Sequence, residues 1–321
     1  MTIIGFHASH EQVHPSDLLR AVQEAERAGF DAAMCSDHLA PWSARQGHSG
    51  FAWAWLGAAL ATTSLPFGVV NAPGQRYHPA VVAQAAATLA AMFPGRFWVA
   101  LGSGENANEH VTGDPWPVKE VRDARLVEAV GVIRRLLAGE EVTHHGLVTI
   151  DRARVWTLPP EPPALIGPAV TAATAARAAG WADGLITINQ PRAVLEEIVA
   201  AYRDNGGRGP LAVQVHLAWH EDQSEAEHIA FDQWRSNVFP PPVCWDLATP
   251  EHFDVAASHV RPEDVARSVM ISADLGRHAE YLAGLVELGF DQVYLHHVGR
   301  EQRPFVEAFA GHVLPQLRGS A

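Results

Sequence analysis

Short apolar runs alternate with longer alanine-rich segments along almost the whole chain. Brief apolar runs bounded by glycine, proline or polar residues are typical of buried strands. These runs predict strands at residues 3–7, 32–35, 67–70, 97–101, 164–166, 184–187, 212–217 and 292–295. In the segments between them, apolar residues recur at the spacing of one helix face. They predict helices at residues 16–28, 52–63, 79–92, 119–138, 171–180, 191–204 and 276–288.

This alternation of continuously apolar strands with helices predicts a parallel sheet covered by helices, the α/β class. Eight such strands in a chain of 321 residues favour a closed (β/α)8 TIM barrel over an open Rossmann sheet. The first strand is not followed by a G-x-G-x-x-G sequence, which favours the barrel as well.

We predict one barrel domain over residues 1–318, with insertions in two places. Residues 139–160 are expected to form a β-hairpin excursion with its turn near His145-Gly146. Residues 221–267 contain proline and tryptophan, interrupt the strand–helix repeat and are expected to be partly helical. Long insertions in barrels are often lids or interface elements, so this segment is expected to cover one face of the barrel.

Composition narrows the class of function. The chain is 48% hydrophobic and 18% charged, which provides enough apolar material for a large core. Its formal net charge of −13 argues against a surface that binds nucleic acid or anionic membranes. No basic and apolar leader is visible, and the longest apolar stretch, residues 51–61, is too short to span a membrane. We therefore expect a cytoplasmic protein whose partner is a small molecule.

Polar residues follow most of the predicted strands at their carboxyl ends, where barrel enzymes build their active sites. An unpaired polar group in a dry core costs about 1–3 kcal/mol, so the recurrence of such groups favours a site. The residues at these ends are His7 to Glu11, Ser36-Asp37-His38, Asn71, Gly102-Ser103-Gly104-Glu105, Gly167-Pro168, Thr187 to Asn189 and His296-His297.

Three of these groups carry candidate chemistry. A carboxylate beside a histidine, as in Asp37-His38, can fix an imidazole tautomer, although a capping aspartate and a packed histidine would give the same pair. Glu105 follows a turn of small residues that lets a flat ligand approach the backbone, although glutamate is also common at a helix start. Gly167-Pro168 before a helix is a weaker candidate for anion binding.

No metal site is predicted. The adjacent pairs His144-His145 and His296-His297 would point to opposite faces of a strand, and neither H-E-x-x-H nor C-x-x-C occurs. Two cysteines are too few for a disulfide framework or a zinc cluster.

Six segments share their sequence and their order with one known family. They are GFHASHEQ at 5–12, CSDHLAPW at 35–42, QGHSGFAWAWLGA at 46–58, QRYHPAVVAQAAATLA at 75–90, PGRFWVALGSGENANE at 94–109 and IGPAV at 166–170. On these segments the chain resembles the luciferase-like flavin-dependent family, in particular its branch around the F420-dependent glucose-6-phosphate dehydrogenases. The resemblance covers almost the whole chain. It implies a barrel with the cofactor in the carboxyl-end mouth, and a homodimer.

The resemblance also implies catalytic roles. His38 would be the base that takes the hydroxyl proton as hydride leaves the adjacent carbon. Glu105 would be the acid that protonates the reduced ring or steadies its charge. Trp42 and Glu11 would shape the substrate pocket.

Cofactor contacts follow from the same resemblance. The residues implied to contact the deazaflavin ring or its ribityl chain are Asp37, Val70, Asn71, Gly104, Glu105 and Asn108. Its phosphate would lie against Gly167, Pro168 and Ala169 and the following helix start. A non-prolyl cis peptide is implied around residues 69–71.

Departures from the family pattern bear on the substrate. The sugar-phosphate members bind phosphate with lysine and arginine from the later barrel, whereas Lys119 is the only lysine here. In the corresponding stretches Arg192 and Arg261 are the only cationic candidates. We therefore expect an oxidoreductase that transfers a hydride between coenzyme F420 and a small uncharged alcohol or carbonyl compound, and not glucose 6-phosphate. The alternatives are an FMN-dependent monooxygenase or reductase and a non-catalytic flavin-binding barrel.

Overall fold

The computed structural model describes residues 2–319, so Met1, the first residue of the predicted domain, lies outside it. The strands are β1 (Ile3–Ala8), β2 (Ala32–Ser36), β3 (Phe67–Asn71), β4 (Phe97–Leu101), β5 (Val142–His145), β6 (Thr149–Ala153), β7 (Ala164–Pro168), β8 (Gly184–Ile188), β9 (Leu211–Ala218), β10 (Met270–Ile271) and β11 (Gln292–His297). The helices are α1 (Pro15–Arg27), α2 (Ala52–Thr62), α3 (Pro79–Met92), α4 (Asn106–Glu109), α5 (Lys119–Leu137), α6 (Ala172–Ala178), α7 (Arg192–Asp204), α8 (Gln223–Trp234), α9 (Val243–Asp246), α10 (Pro250–Ala257), α11 (Pro262–Val265), α12 (Leu275–Glu287) and α13 (Gln302–Gly319).

The main sheet closes into a parallel barrel, which confirms the predicted TIM fold. Its order is β10-β9-β11-β1-β2-β3-β4-β7-β8, and β8 pairs with β9 to close the ring. The two-residue strand β10 pairs beside β9 outside this ring. Several strands run further at their carboxyl ends than their apolar runs predict, because polar residues continue the ladder. His296, for example, pairs with His216, and His297 pairs with Leu217.

Large aromatic side chains fill the inside of the barrel, where two strand glycines leave room for them. A Cβ on Gly68 would lie 1.9 Å from the Trp98 ring, and a Cβ on Gly5 would lie 2.3 Å from the Tyr294 ring. The two rings pack together with their centroids 5.9 Å apart. This part of the barrel interior is therefore a packed core.

The outer helices match the predicted ones to within a few residues at each end, and one further helix, α13, covers the barrel. Its buried side chains include Phe305, Phe309 and Val313, which recur every four residues and form one apolar face. The sequence therefore carried a helical signal here, which the predicted set of helices omits.

Two excursions leave the repeat. Strands β5 and β6 form an antiparallel hairpin, and the Glu128 carboxylate on α5 accepts from Val148 N at 3.1 Å and contacts His144 Nε2 at 2.9 Å. Helices α8 to α11 form the segment between β9 and β10. No helix among residues 2–319 is long and apolar enough to cross a membrane.

The cis peptide expected around residues 69–71 is wrong for this chain. Within residues 2–319 the one cis bond joins Pro241 and Pro242. Strand β3 instead keeps a regular parallel ladder to its end, where Val70 pairs with Ala100 and Asn71 with Leu101.

Candidate active site

A cleft of about 520 Å³ opens at the carboxyl ends of the barrel strands. Eleven of the predicted site residues line it: Glu11, Asp37, His38, Trp42, Val70, Asn71, Gly104, Glu105, Asn108, Pro168 and Ala169. Gly167 does not line the cleft. A Cβ on this glycine would lie 2.6 Å from the Cβ of Ala178, so Gly167 permits close packing of β7 against α6.

A buried carboxylate orients the His38 imidazole. Glu11 Oε1 lies 2.7 Å from His38 Nδ1, and Glu11 Oε2 accepts from Ser9 Oγ at 2.8 Å. Burial by itself raises the pKa of Glu11, but the charge and hydrogen bond of His38 outweigh burial and lower it to about 2. The ionised Glu11 accepts from Nδ1, so the Nε2 atom of neutral His38 is left as a proton acceptor.

Glu105 lies on the other side of the same imidazole. Its Oε2 is 3.8 Å from His38 Nε2, longer than a hydrogen bond. Burial raises the pKa of Glu105 and outweighs the charge of His38, which lowers it, while Glu11 and Glu109 raise it further. Burial lowers the pKa of His38, but Glu11 and then Glu105 outweigh it and raise the value above the ordinary one. The two groups therefore form an acid–base pair across a short gap.

Asp37 connects β2 to its neighbours. Its carboxylate accepts from Asn71 Nδ2 at 2.8 Å and lies 3.5 Å from the Arg76 guanidinium. The Asp37 backbone N–H donates to the Val70 carbonyl at 2.9 Å. Asn71 Oδ1 is buried and has no hydrogen-bond partner among the described residues. Arg76 also lines the cleft but is absent from the predicted site residues. It lies in the segment QRYHP, one of the segments that resemble the family, and this could have identified it.

The turn after β4 brings backbone and amide groups to the cleft. Gly104 has φ of +84°, a left-handed conformation that favours glycine, and a Cβ there would lie 3.1 Å from Glu109 Cγ. Asn108 Oδ1 accepts from Leu39 N at 2.8 Å, and its Nδ2 donates to Glu105 Oε2 at 3.3 Å. Asn108 thereby holds the Glu105 carboxylate in place.

A cluster of positively and negatively charged side chains borders the same cleft near Ser103. Lys119 Nζ donates to Ser103 Oγ at 3.3 Å and pairs with Asp123. Arg177 pairs with Asp123 at 3.1 Å and donates to Thr174 Oγ1 at 3.2 Å. Ser103, Lys119 and Thr174 line the cleft beside Pro168 and Ala169.

Aromatic residues from the insertion form one wall of the cleft. Trp42 packs against His38 with ring centroids 5.1 Å apart and against Phe253 at 5.2 Å. Trp234, Phe239 and Trp245, which belong to the predicted insertion, also line the cleft.

Asp246 connects the insertion to residues that follow β4. Its Oδ1 accepts from Trp116 Nε1 at 2.9 Å, and its carbonyl accepts from Asn106 Nδ2 at 2.9 Å. Arg122 lies 3.6 Å from the same carboxylate. The insertion is therefore tied to both α4 and α5.

The polar floor, defined as His7, Gln214, His216 and His296, lines the cleft from β1, β9 and β11. The rings of His7 and His296 lie 4.4 Å apart, and Trp234 packs on His216 at 4.5 Å. Burial lowers the pKa of His7 and of His216 to about 3, and it lowers the pKa of His296 well below its ordinary value. These rings are neutral.

The cations expected to bind a substrate phosphate lie elsewhere. Arg192 pairs with Glu196 at 3.0 Å on the surface of α7, and Arg261 hydrogen bonds to Asp264. Neither arginine lines the cleft, whereas Arg267 does. The Arg267 side chain is 75% exposed and lies 3.6 Å from Asp264, so a nearby carboxylate already offsets its charge.

The chain matches a family model described as luciferase-like monooxygenase over residues 2–292. It is 34% identical over 330 residues to an F420-dependent glucose-6-phosphate dehydrogenase from Beutenbergia cavernae, covering 99% of this chain and 98% of that enzyme. It is 33% identical over 324 residues to an F420-dependent hydroxymycolic acid dehydrogenase from Mycobacterium tuberculosis, covering 98% of this chain and 88% of that enzyme. A solved F420-dependent secondary alcohol dehydrogenase, in complex with an F420-acetone adduct, superposes with a TM-score of 0.91, 29% identity and 99% coverage of each chain.

Proposed function

The chain belongs to the luciferase-like monooxygenase family, and from that membership we propose that it is an F420-dependent dehydrogenase acting on a small uncharged alcohol or the matching carbonyl compound. The observation that carries the proposal is the His38 imidazole. Its Nδ1 is held by the ionised Glu11, and its Nε2 lies 3.8 Å from Glu105 Oε2. A base with one free nitrogen at a strand end suits proton removal from a hydroxyl group.

The residues of the cleft fit a deazaflavin cofactor. Asn71 Oδ1 is a buried acceptor without a partner among residues 2–319, and a hydrogen-bonding ring edge would satisfy it. Gly102 and Gly104 expose backbone to the cleft without a Cβ, which suits a flat ring. Lys119 and Thr174 supply a cation and a hydroxyl group of the kind that bind phosphate.

When bound, F420 would supply a carbon centre that accepts a hydride and reacts poorly with oxygen. The protein's part is proton transfer and orientation. His38 Nε2 removes the hydroxyl proton, and Glu11 stabilises the imidazolium that results. Glu105, whose raised pKa favours the protonated carboxyl group, would act as the acid of the reaction. Trp42 excludes water from His38 by edge contact with its ring.

An uncharged substrate suits the rest of the cleft. The wall is aromatic, the polar floor is neutral, and Arg267 is balanced by Asp264. A phosphate dianion would also meet the ionised Glu11 near His38.

We expect purified protein loaded with F420 to reduce that cofactor with a simple secondary alcohol such as propan-2-ol. The measurement is the anaerobic loss of the oxidised F420 absorbance band with time. The FMN-loaded protein is the comparison, with oxygen consumption as its readout. Oxygen-dependent turnover with FMN and none with F420 would contradict the proposal and favour the monooxygenase alternative. Tight F420 binding without turnover for any alcohol or ketone would favour a storage barrel.

Replacing Glu11 by glutamine is expected to move the pH profile. His38 must be neutral to act as a base, so kcat/KM for alcohol oxidation rises with pH through the His38 pKa, which lies above its ordinary value of about 6.5. Glu11→Gln keeps an acceptor for Nδ1–H but removes the charge that raises this pKa most. The acidic limb of the profile should therefore shift to lower pH.

The matched control is Glu128→Gln, which neutralises the carboxylate of a second histidine–glutamate pair on the hairpin, outside the cleft. Its profile should coincide with that of the wild type. An acidic limb that stays in place in Glu11→Gln would mean that Glu11 does not set the His38 pKa.

A further inference from the structure

The polar floor has hydrogen-bonding capacity that the proposed proton transfer does not use. Its side chains lie in the same cleft as His38, and the charge of Glu11, four residues beyond His7 in the chain, acts on His7. Within residues 2–319 no group of three or more histidine, cysteine or carboxylate side chains is arranged to hold a metal. Hydrogen bonding is the chemistry these side chains present to the cleft.

A chain of hydrogen bonds that begins at a backbone carbonyl determines which ring nitrogens of the polar floor carry a hydrogen. Gln12 Nε2 donates to the Val298 carbonyl oxygen, so Gln12 Oε1 is the acceptor of that side chain. This oxygen lies 2.8 Å from His296 Nε2, which must therefore carry a hydrogen. Because His296 is neutral, its Nδ1 is an acceptor.

The proton position of His216 is set through Gln214. Gln214 Nε2 lies 3.3 Å from His296 Nδ1 and 3.1 Å from His216 Nε2. Its two hydrogens are donated to these two nitrogens, which fixes the orientation of the Gln214 amide. His216 is also neutral, so its hydrogen is on Nδ1.

At His216 and Gln214, one donor and one acceptor remain free. No hydrogen bond within residues 2–319 engages His216 Nδ1–H or Gln214 Oε1, and neither atom is sealed in the core. Both belong to residues that line the cleft. A hydroxyl group, which accepts and donates at once, matches this pair, whereas an anion would leave the Gln214 acceptor without a donor and would meet no cation in the polar floor.

We propose that the polar floor is a second substrate subsite that binds an uncharged hydroxyl group, so that the substrates are diols or polyols with one hydroxyl at His38 and another at His216 and Gln214. This inference rests on the proposed dehydrogenase function. An alkyl group in the same place would leave both polar atoms without a partner and would be disfavoured.

Three matched pairs of alcohols test the subsite. They are butan-2-ol with butane-1,3-diol, pentan-2-ol with pentane-1,4-diol, and hexan-2-ol with hexane-1,5-diol. Each pair shares one secondary carbinol and differs by a terminal hydroxyl at increasing distance. With F420-loaded wild type we expect kcat/KM to be about tenfold or more higher for the diol in at least one pair. A preference for the mono-alcohol in all three pairs overturns the subsite while the dehydrogenase function stands.

Two variants are compared by the same ratio, kcat/KM for the diol divided by kcat/KM for the matching mono-alcohol. His216→Phe keeps an aromatic ring against Trp234 but removes the Nδ1 donor, and it should abolish the diol preference. His216→Asn keeps a donor near the Nδ1 position and should restore part of that preference. A control, His220→Phe, changes a histidine outside the cleft and should leave the ratio unchanged. A ratio that persists in His216→Phe overturns the assignment.

Binding measured by calorimetry separates the two proposals. The same pairs are titrated into F420-loaded wild type and into His216→Phe. Tighter binding of a diol that is lost in the variant supports the subsite even where no alcohol is oxidised, an outcome that refutes only the dehydrogenase function. Equal binding of diol and mono-alcohol at every chain length overturns the subsite.

Discussion

His38→Ala is expected to lower kcat/KM for alcohol oxidation by about 10²–10⁴-fold, the usual contribution of a positioned base. The variant removes the nitrogen that takes the hydroxyl proton, and it removes the hydrogen-bond partner of Glu11 Oε1. The Kd of F420 should change much less, because the groups that fit the ring and the phosphate lie around Asn71 and Lys119. Steady-state kinetics and a fluorescence titration with F420 measure the two effects separately.

The matched control is His144→Ala, which breaks the corresponding histidine–glutamate contact on the hairpin. Its kcat/KM should equal that of the wild type. If His38→Ala keeps full turnover, the base assignment is wrong. If the variant loses F420 binding with little effect on turnover at saturating cofactor, His38 belongs to cofactor binding.

The second large effect concerns glucose 6-phosphate. Each charge-assisted hydrogen bond to a phosphate contributes about 1.5–3 kcal/mol, so the lack of two such contacts weakens binding by roughly 10²–10⁴-fold. Arg192 and Arg261 are committed to surface carboxylates, and Arg267 is largely exposed. We expect no saturation with millimolar glucose 6-phosphate in F420 reduction assays.

Glucose is the matched comparison, since it differs only by the phosphate. The phosphate should give no gain in kcat/KM, whereas adding a cation to the cleft by Ser268→Lys should favour the phosphorylated sugar. A Michaelis constant in the micromolar range for glucose 6-phosphate would show that Arg267 or another arginine binds the phosphate after all.

The barrel and the cleft lined by polar strand ends could be predicted because both follow from local patterns. Apolar runs mark the strands, and the polar residues that end those runs must meet at one mouth once the sheet closes. His296 and His297 are an example of the alternation of side chains along a strand. As predicted for adjacent strand residues, His296 faces the cleft while His297 stacks on Phe305 outside the barrel, with ring centroids 5.1 Å apart.

The cations and the proton network could not be predicted, because they depend on contacts between distant segments. Arg192 and Arg261 each find a carboxylate three or four residues away along the chain, so their nearest partners lie outside the cleft. The orientation of Gln214 is set through Gln12 and Val298, and these residues are far apart in sequence. Only the folded barrel brings such groups together.

The insertion between β9 and β10 has a consequence for how such enzymes diverge. The residues that fit the cofactor, including Asn71, Gly104, Lys119 and Thr174, come before β8 in the chain. The aromatic residues Trp234, Phe239, Trp245 and Phe253 belong to the insertion that follows β9. We therefore expect that exchanging residues 221–267 as one segment would change the range of substrates accepted. A transplanted segment should keep Asp246, which accepts hydrogen bonds from Trp116 and Asn106 and lies 3.6 Å from Arg122.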